Sequence, residues 1–218
     1  MAEISASMVK ELRDVTGCGI MDCKRALQQT EGDVDKAVKL LRENGQMKAD
    51  KKATRIAAEG IVETYQHIGG RIGVLVELNC ETDFVAKNEE FKKLAHNIAM
   101  HIAAYSPKYV RRDEIPAQDI AEEREVQRNI TLKEGKPEKI VDKIVDGRME
   151  KFFKANCLEE QDWILNEDIT VLEAVKEVII KTGENIRIRR FARFERGEGL
   201  EKRVDNFADE VMKQASQN

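Results

Sequence analysis

The stretch Asn79-Cys80-Glu81-Thr82-Asp83-Phe84-Val85-Ala86-Lys87-Asn88 decides how this chain reads. Ahead of it, residues 71–78 alternate Ile72, Val74, Val76 and Leu78 with Gly73, Leu75 and Glu77, the period of a strand with one buried face. Beyond it, Phe91, Leu94, Ala95, Ile98 and Ile102 recur along one face of a helix that Asn88 is placed to cap. Thr82-Asp83-Phe84-Val85 therefore falls where a sheet hands over to a helix, and connections held by a rigid scaffold often carry binding residues. The pattern alone leaves two readings. Either Asp83 makes a turn hydrogen bond while Phe84 plugs the core, which the usual burial of large apolar side chains favours, or acid and ring face outward together.

Upstream, residues 59–68 alternate in the same way, and Gly69-Gly70 permits a tight reversal, so the two runs predict an antiparallel hairpin. A third run at residues 185–195 places Ile186 and Ile188, then Phe191 and Phe194; the broken alternation predicts a bulge after which the faces exchange. Three strands can bury a face that an isolated hairpin cannot. Between them lies helical material. Pro116 opens one helix that Gly135 ends, and Pro137 opens another carrying Ile140, Val141, Ile144, Val145, Met149, Phe152 and Phe153, so residues 116–155 predict a helical hairpin whose stripe packs on the domain. Thr170 and Glu173 form a capping-box pattern before a helix that Gly183 stops.

The first 46 residues predict three short helices: Ser5 caps the first and Gly17 ends it, the second starts near Met21, and Asp33 caps a third that Gly45 stops. The loop between the first two, Thr16-Gly17-Cys18-Gly19-Ile20-Met21-Asp22, puts Ile20 and Met21 at a corner, either completing a small core or standing exposed as a contact. Residues 47–58 read as a Lys-rich linker, residues 59–198 as an α+β core, and residues 199–218 as an amphipathic C-terminal helix built on Val204, Phe207, Ala208, Val211 and Met212.

Composition excludes several functions. The net charge of −4 gives no general attraction to nucleic acid, and the arginines at 187, 189, 190, 193 and 196 are explained by edge-strand protection as readily as by RNA. Four cysteines are too few for a disulfide scaffold, and Cys18 and Cys23 lack the second Cys/His pair a zinc site needs. No secretory signal or membrane-spanning run is visible, which leads to the expectation of a protein in a reducing, cytoplasmic compartment. Neither a phosphate-binding Gly-rich loop nor a nucleophile elbow occurs, so no cofactor, metal or catalytic residue is expected, and a binding protein is favoured over an enzyme.

Three separated motifs resemble, in order, the elongation factor Ts family of bacteria and organelles. They are Val9-Lys10-Glu11-Leu12-Arg13 with Thr16-Gly17-Cys18-Gly19-Ile20-Met21-Asp22-Cys23-Lys24-Arg25-Ala26-Leu27; Asn79-Cys80-Glu81-Thr82-Asp83-Phe84-Val85-Ala86-Lys87; and Gly183-Glu184-Asn185-Ile186-Arg187-Ile188-Arg189-Arg190. The resemblance implies a ubiquitin-associated-type N-terminal module followed by an α+β core. It also implies a nucleotide exchange factor whose partner is elongation factor Tu, gripped through Leu12, Ile20 and Met21. Thr82, Asp83, Phe84 and Val85 would then disturb the magnesium side of the partner's nucleotide site. Two departures, Cys18 for the usual small residue and Ile20 for one of two methionines, keep the corner apolar. The core is shorter than in members with two related subdomains, and the resemblance to short members, some of which dimerise, adds a homodimer to the expectations. It also turns the reading of Phe84 from core plug to outward contact. An adaptor without effect on nucleotide, or an RNA-binding accessory factor, is the alternative class.

Overall fold

A computed structural model describes residues 4–200; the C-terminal helix expected at residues 199–218 lies, from residue 201 on, outside the described residues. The fold is α+β. It opens with three helices, α1 (Ala6–Thr16), α2 (Ile20–Gln29) and α3 (Val34–Lys52). Ser5 and Asp33 cap α1 and α3 with their side chains, and Gly17 ends α1 in the left-handed conformation at φ 66°. Val9, Leu12, Cys23, Ala26, Leu27, Ala37 and Leu41 make the core of this ubiquitin-associated-type module.

One expectation about this module fails. Gly45 does not stop α3, which runs on to Lys52. The residues after it, Gln46, Met47, Lys48 and Ala49, are sound helix formers, and Lys51 and Lys52 lie favourably against the negative end of the helix dipole. What glycine provides is closeness: a Cβ at Gly45 would stand 2.3 Å from Ile180 Cδ1. The glycine that looked like punctuation is a packing contact between helices.

The core begins with β1 (Glu59–Gln66) and β2 (Ile72–Cys80), the expected antiparallel hairpin. The short helix α4 (Asp83–Ala86) and the long α5 (Glu89–Tyr105) follow, the latter capped by Asn88. Later come α8 (Val171–Thr182), opened by a complete Thr170/Glu173 capping box, and β5 (Arg187–Glu195). The sheet order is β1-β2-β5, all antiparallel. The bulge is present: Arg190 faces Glu77 and Ile188 faces Leu78, so Arg189 has no partner across the ladder. Val74, Val76, Leu78 and Ile188 line the inner face and pack on Phe91, Ile98 and Ile102 of α5 and on Val175, Val178 and Ile179 of α8.

The helices α6 (Ala117–Lys133) and α7 (Glu138–Asn156) form the expected hairpin, but its apolar stripe does not pack on the domain. Val141, Val145 and Met149 form a separate cluster with Ile120, Phe152 and Phe153. Arg124–Asp146 and Arg128–Asp142 ion pairs bridge its two helices. Each helix is the other's apolar partner, so the period was right and the packing surface was not. Arg112 ties the base of the hairpin to the core through Glu150 and Glu160 and lies 4.4 Å over the Phe153 ring. A small hairpin of β3 (Asp162–Trp163) and β4 (Asn166–Thr170) was not anticipated. Nor was the buried His101, stacked between Tyr105 and Trp163 and held by Gln161 at 3.0 Å; burial holds its imidazole below the ordinary pKa.

Candidate partner-binding surface

The turn between β2 and α4 is built by three local devices. The Thr82 hydroxyl caps α4, accepting from the Val85 amide at 3.3 Å. Cys80 Sγ donates to the Thr82 carbonyl at 3.1 Å. Val85 and Ala86 turn inward onto the core, which leaves the preceding pair, Asp83 and Phe84, on the outer side. Phe84 is 78 % exposed. Asp83 is exposed as well, and a 2.6 Å hydrogen bond from Lys87 Nζ, together with that cation's charge, holds its carboxyl below the usual carboxylate range. An anion and a bare aromatic ring thus stand side by side.

The turn is anchored from the far end of the chain. Glu184, two residues past the end of α8, accepts with one carboxylate oxygen from the Glu81 amide at 3.1 Å and the Thr82 amide at 3.0 Å. Its other oxygen accepts from the Thr82 hydroxyl at 2.7 Å. Glu81 answers in kind, accepting from the Asn185 amide at 2.6 Å. The Asn185 side chain in turn donates to the Arg55 carbonyl at 2.8 Å. The second and third sequence motifs are therefore two halves of one clamp. Periodicity had no means of pairing residues a hundred positions apart; the only signal was that both motifs carry an acid next to a strand end.

The N-terminal corner behaves as one of its two readings. Ile20 and Met21, the first two residues of α2, are 54 % and 64 % exposed. Beside Ile20 runs a groove of about 320 Å³ whose walls include Ile4, Val9 and the cations Lys10, Arg13 and Lys24. Leu12 is a correction: it has no accessible surface and belongs to the helical core, where it supports the corner without touching a partner. Val85 is another, since its side chain is 5 % exposed and its role is to seat the turn. Thr82 is exposed but fully engaged as cap and clamp.

Both surfaces hang on the end of α8. A Cβ at Gly17 would stand 3.3 Å from the Lys181 side chain, whose Nζ reaches Glu90 at 3.4 Å. Three residues on, Glu184 grips the turn that presents Phe84. Among the described residues no group of His, Cys, Asp or Glu side chains could hold a metal ion, and no helix is long and apolar enough to cross a membrane.

Fold and surface define a protein with two exposed apolar surfaces, one on a helical module and one on a sheet-to-helix turn, braced by the same helix. The chain belongs to the elongation factor Ts family: the family model described as Elongation factor TS matches residues 2–198. It is 61% identical to elongation factor Ts of Heliobacterium modesticaldum over 209 residues, which is 96% of this chain and 97% of that protein. It is also 61% identical over 214 residues to elongation factor Ts of Desulforamulus reducens, covering 98% and 99% of the two chains. With elongation factor Ts of Acetivibrio thermocellus the identity is 58% over 211 residues, 97% and 98% of the two. Membership places the chain among the factors of translation elongation.

The clamp makes a direct prediction. Replacing Glu184→Ala strands two amides and a hydroxyl that its carboxylate now satisfies, and hydrogen bonds to a charged group contribute about 1.5–3 kcal/mol. Chemical denaturation should read a loss of about 2 kcal/mol, and hydrogen exchange at the Glu81 and Thr82 amides should quicken well beyond that of the sheet.

Proposed function

We infer that this chain is a guanine-nucleotide exchange factor that binds elongation factor Tu and promotes release of GDP by disturbing the Mg²⁺ and phosphate contacts of that partner. The observation that carries the reading is Phe84, a large apolar side chain held out in water on a turn clamped at both ends. Left exposed, it forgoes about 2–3 kcal/mol that burial would contribute. A partner with an apolar slot recovers that energy on docking. If the slot is open only in a partner conformation with poorer phosphate and metal contacts, docking of Phe84 favours that conformation and the nucleotide leaves.

Asp83 stays ionised beside the ring and pairs with Lys87. Near a bound cation's coordination sphere it either accepts a hydrogen bond from the partner or repels the acidic ligands there. Ile20 and Met21 supply a second anchor, with Lys10, Arg13 and Lys24 suiting an acidic rim. Two anchors on one rigid strut fix the angle at which the ring enters. The reading assigns no bond-making step to this chain, and the setting is the bacterial cytosol from which translation factors of this kind act. We further infer a homodimer: the outer face of the sheet exposes Val62, Leu75 and Phe194 together, an apolar surface of the kind that marks association. A solution mass of two chains supports it; a mass of one chain at high concentration rejects it.

Release of a fluorescent GDP analogue from elongation factor Tu tests the exchange reading. The chain should accelerate release, and Phe84→Ala should cut the stimulation by roughly 30–140-fold, the equivalent of about 2–3 kcal/mol. Its thermal midpoint should barely move, because the ring packs on nothing it would leave empty. A Phe84→Ala protein with full activity and a collapsed midpoint would restore the core-plug reading.

A further inference from the structure

Cys18 is the residue before the Gly19 cap of α2, and Cys23 is the fourth residue of that helix. Those are the two positions whose side chains pack together across a helix entry, and here both are thiols. Thr16 gathers them. Its hydroxyl lies 3.8 Å from Cys23 Sγ, and its carbonyl accepts from Cys18 Sγ at 3.8 Å. The Cys18 carbonyl accepts in turn from Cys23 Sγ at 3.8 Å. Cys23 has no accessible surface; Cys18 is also buried, at 9 % exposed, but lines two clefts of about 340 and 210 Å³. The remaining cysteines, Cys80 and Cys157, are each buried away from any other thiol's hydrogen bonds; burial pushes both up to about 11, and it raises Cys23 as well.

We propose that Cys18 and Cys23 form a dithiol modification site that hydrogen peroxide closes to an intramolecular disulfide, and that closure withdraws Ile20 and Met21 from partner contact. The second half rests on the exchange-factor reading above; the first does not. Cys18, the thiol that lines the clefts, attacks peroxide through its sulfur, becoming a sulfenic acid and releasing one water. Cys23 Sγ then attacks the Cys18 sulfur, the S–S bond forms, and the sulfenic oxygen leaves as a second water. Two electrons pass from the sulfurs to one peroxide, and both thiol hydrogens are lost.

Those hydrogens matter locally, because they are the donors to the Thr16 and Cys18 carbonyls. The disulfide removes both and closes a ring from residue 18 to residue 23 with Ile20 and Met21 inside it. The cap Gly19 and the first turn of α2 must reshape to meet the geometry that an S–S bond demands. Exposed Ile20 and Met21 are the residues that move most, since nothing in the module core holds their side chains. A dithiol reductant reverses the change.

Peroxide treatment followed by alkylation under denaturing conditions and tryptic digestion tests this. The peptide of residues 14–24 contains Cys18 and Cys23 and no other cysteine. It should lose two hydrogens in mass and escape alkylation, then regain both thiols with dithiothreitol, while Cys80 and Cys157 alkylate as before. Singly oxidised Cys18 beside an alkylated Cys23 overturns the disulfide. Stimulated GDP release should fall at least tenfold on oxidation and recover with dithiothreitol, and Cys18→Ala should be indifferent to peroxide. A closed disulfide with undiminished exchange overturns the second half. A fully reduced chain that stimulates no release overturns the exchange reading and that second half with it, while the mass of the peptide still decides the first.

Discussion

The presentation of Phe84 depends on one carboxylate. Glu184 accepts from two consecutive amides and one hydroxyl of the turn, and it sits at the end of the helix that also packs against the N-terminal module. A four-residue helix such as α4 has no stability of its own, since nucleation alone is unfavourable at that length. Its capping threonine is fixed by Glu184, which holds both its amide and its hydroxyl, and by the Cys80 thiol at its carbonyl. With that contact in place, Val85 and Ala86 seat in the core and the two residues before them stand on the solvent side, Asp83 paired with Lys87 and Phe84 bare. The exposure of the phenyl ring is therefore a consequence of how its neighbours are held.

The same helix braces both exposed apolar surfaces. Ile180 fills the space above Gly45, Lys181 lies against Gly17, and Glu184 reaches the turn, all within five residues. Because α3 continues unbroken past Gly45, its second half is braced on α8 through Gly45 against Ile180, Gln46 to Glu173 and Asp50 to Lys176. An anchor on the module then constrains where Phe84 can go, and orientation is gained without further contacts. A thiol pair at the entry of α2 lies within this geometry, one turn away from the exposed corner.

Much of this was legible from residues alone. Alternation gave the three strands and the bulge, caps at Ser5, Asp33, Asn88 and Thr170 gave helix starts, and Gly17 and Gly183 gave stops. Gly45 misled because a helix-stopping glycine and a close-packing glycine look alike until the partner Ile180, far along the chain, is known. The α7 stripe misled for a related reason: period identifies an apolar face but not what covers it. At the candidate site the pattern placed Asp83 and Phe84 correctly at a strand-to-helix junction, yet could not orient the ring, and family resemblance supplied the outward reading. That resemblance also carried Leu12 into the contact set, where burial removes it. Glu184 and Asn185 stand in the third motif, but no local period records their pairing with Glu81 and Thr82, which is long-range.

If docking of Phe84 weakens the partner's hold on nucleotide, bound nucleotide must weaken docking by the same factor. A partner that binds both states equally shifts neither. Calorimetric titration of this chain into elongation factor Tu, first free of nucleotide and then saturated with Mg²⁺ and GDP, measures that coupling directly. The account requires affinity for the GDP-loaded partner to be at least tenfold weaker, a coupling of about 1.4 kcal/mol or more, and the difference to shrink in Phe84→Ala. Equal affinities in the two titrations would contradict it.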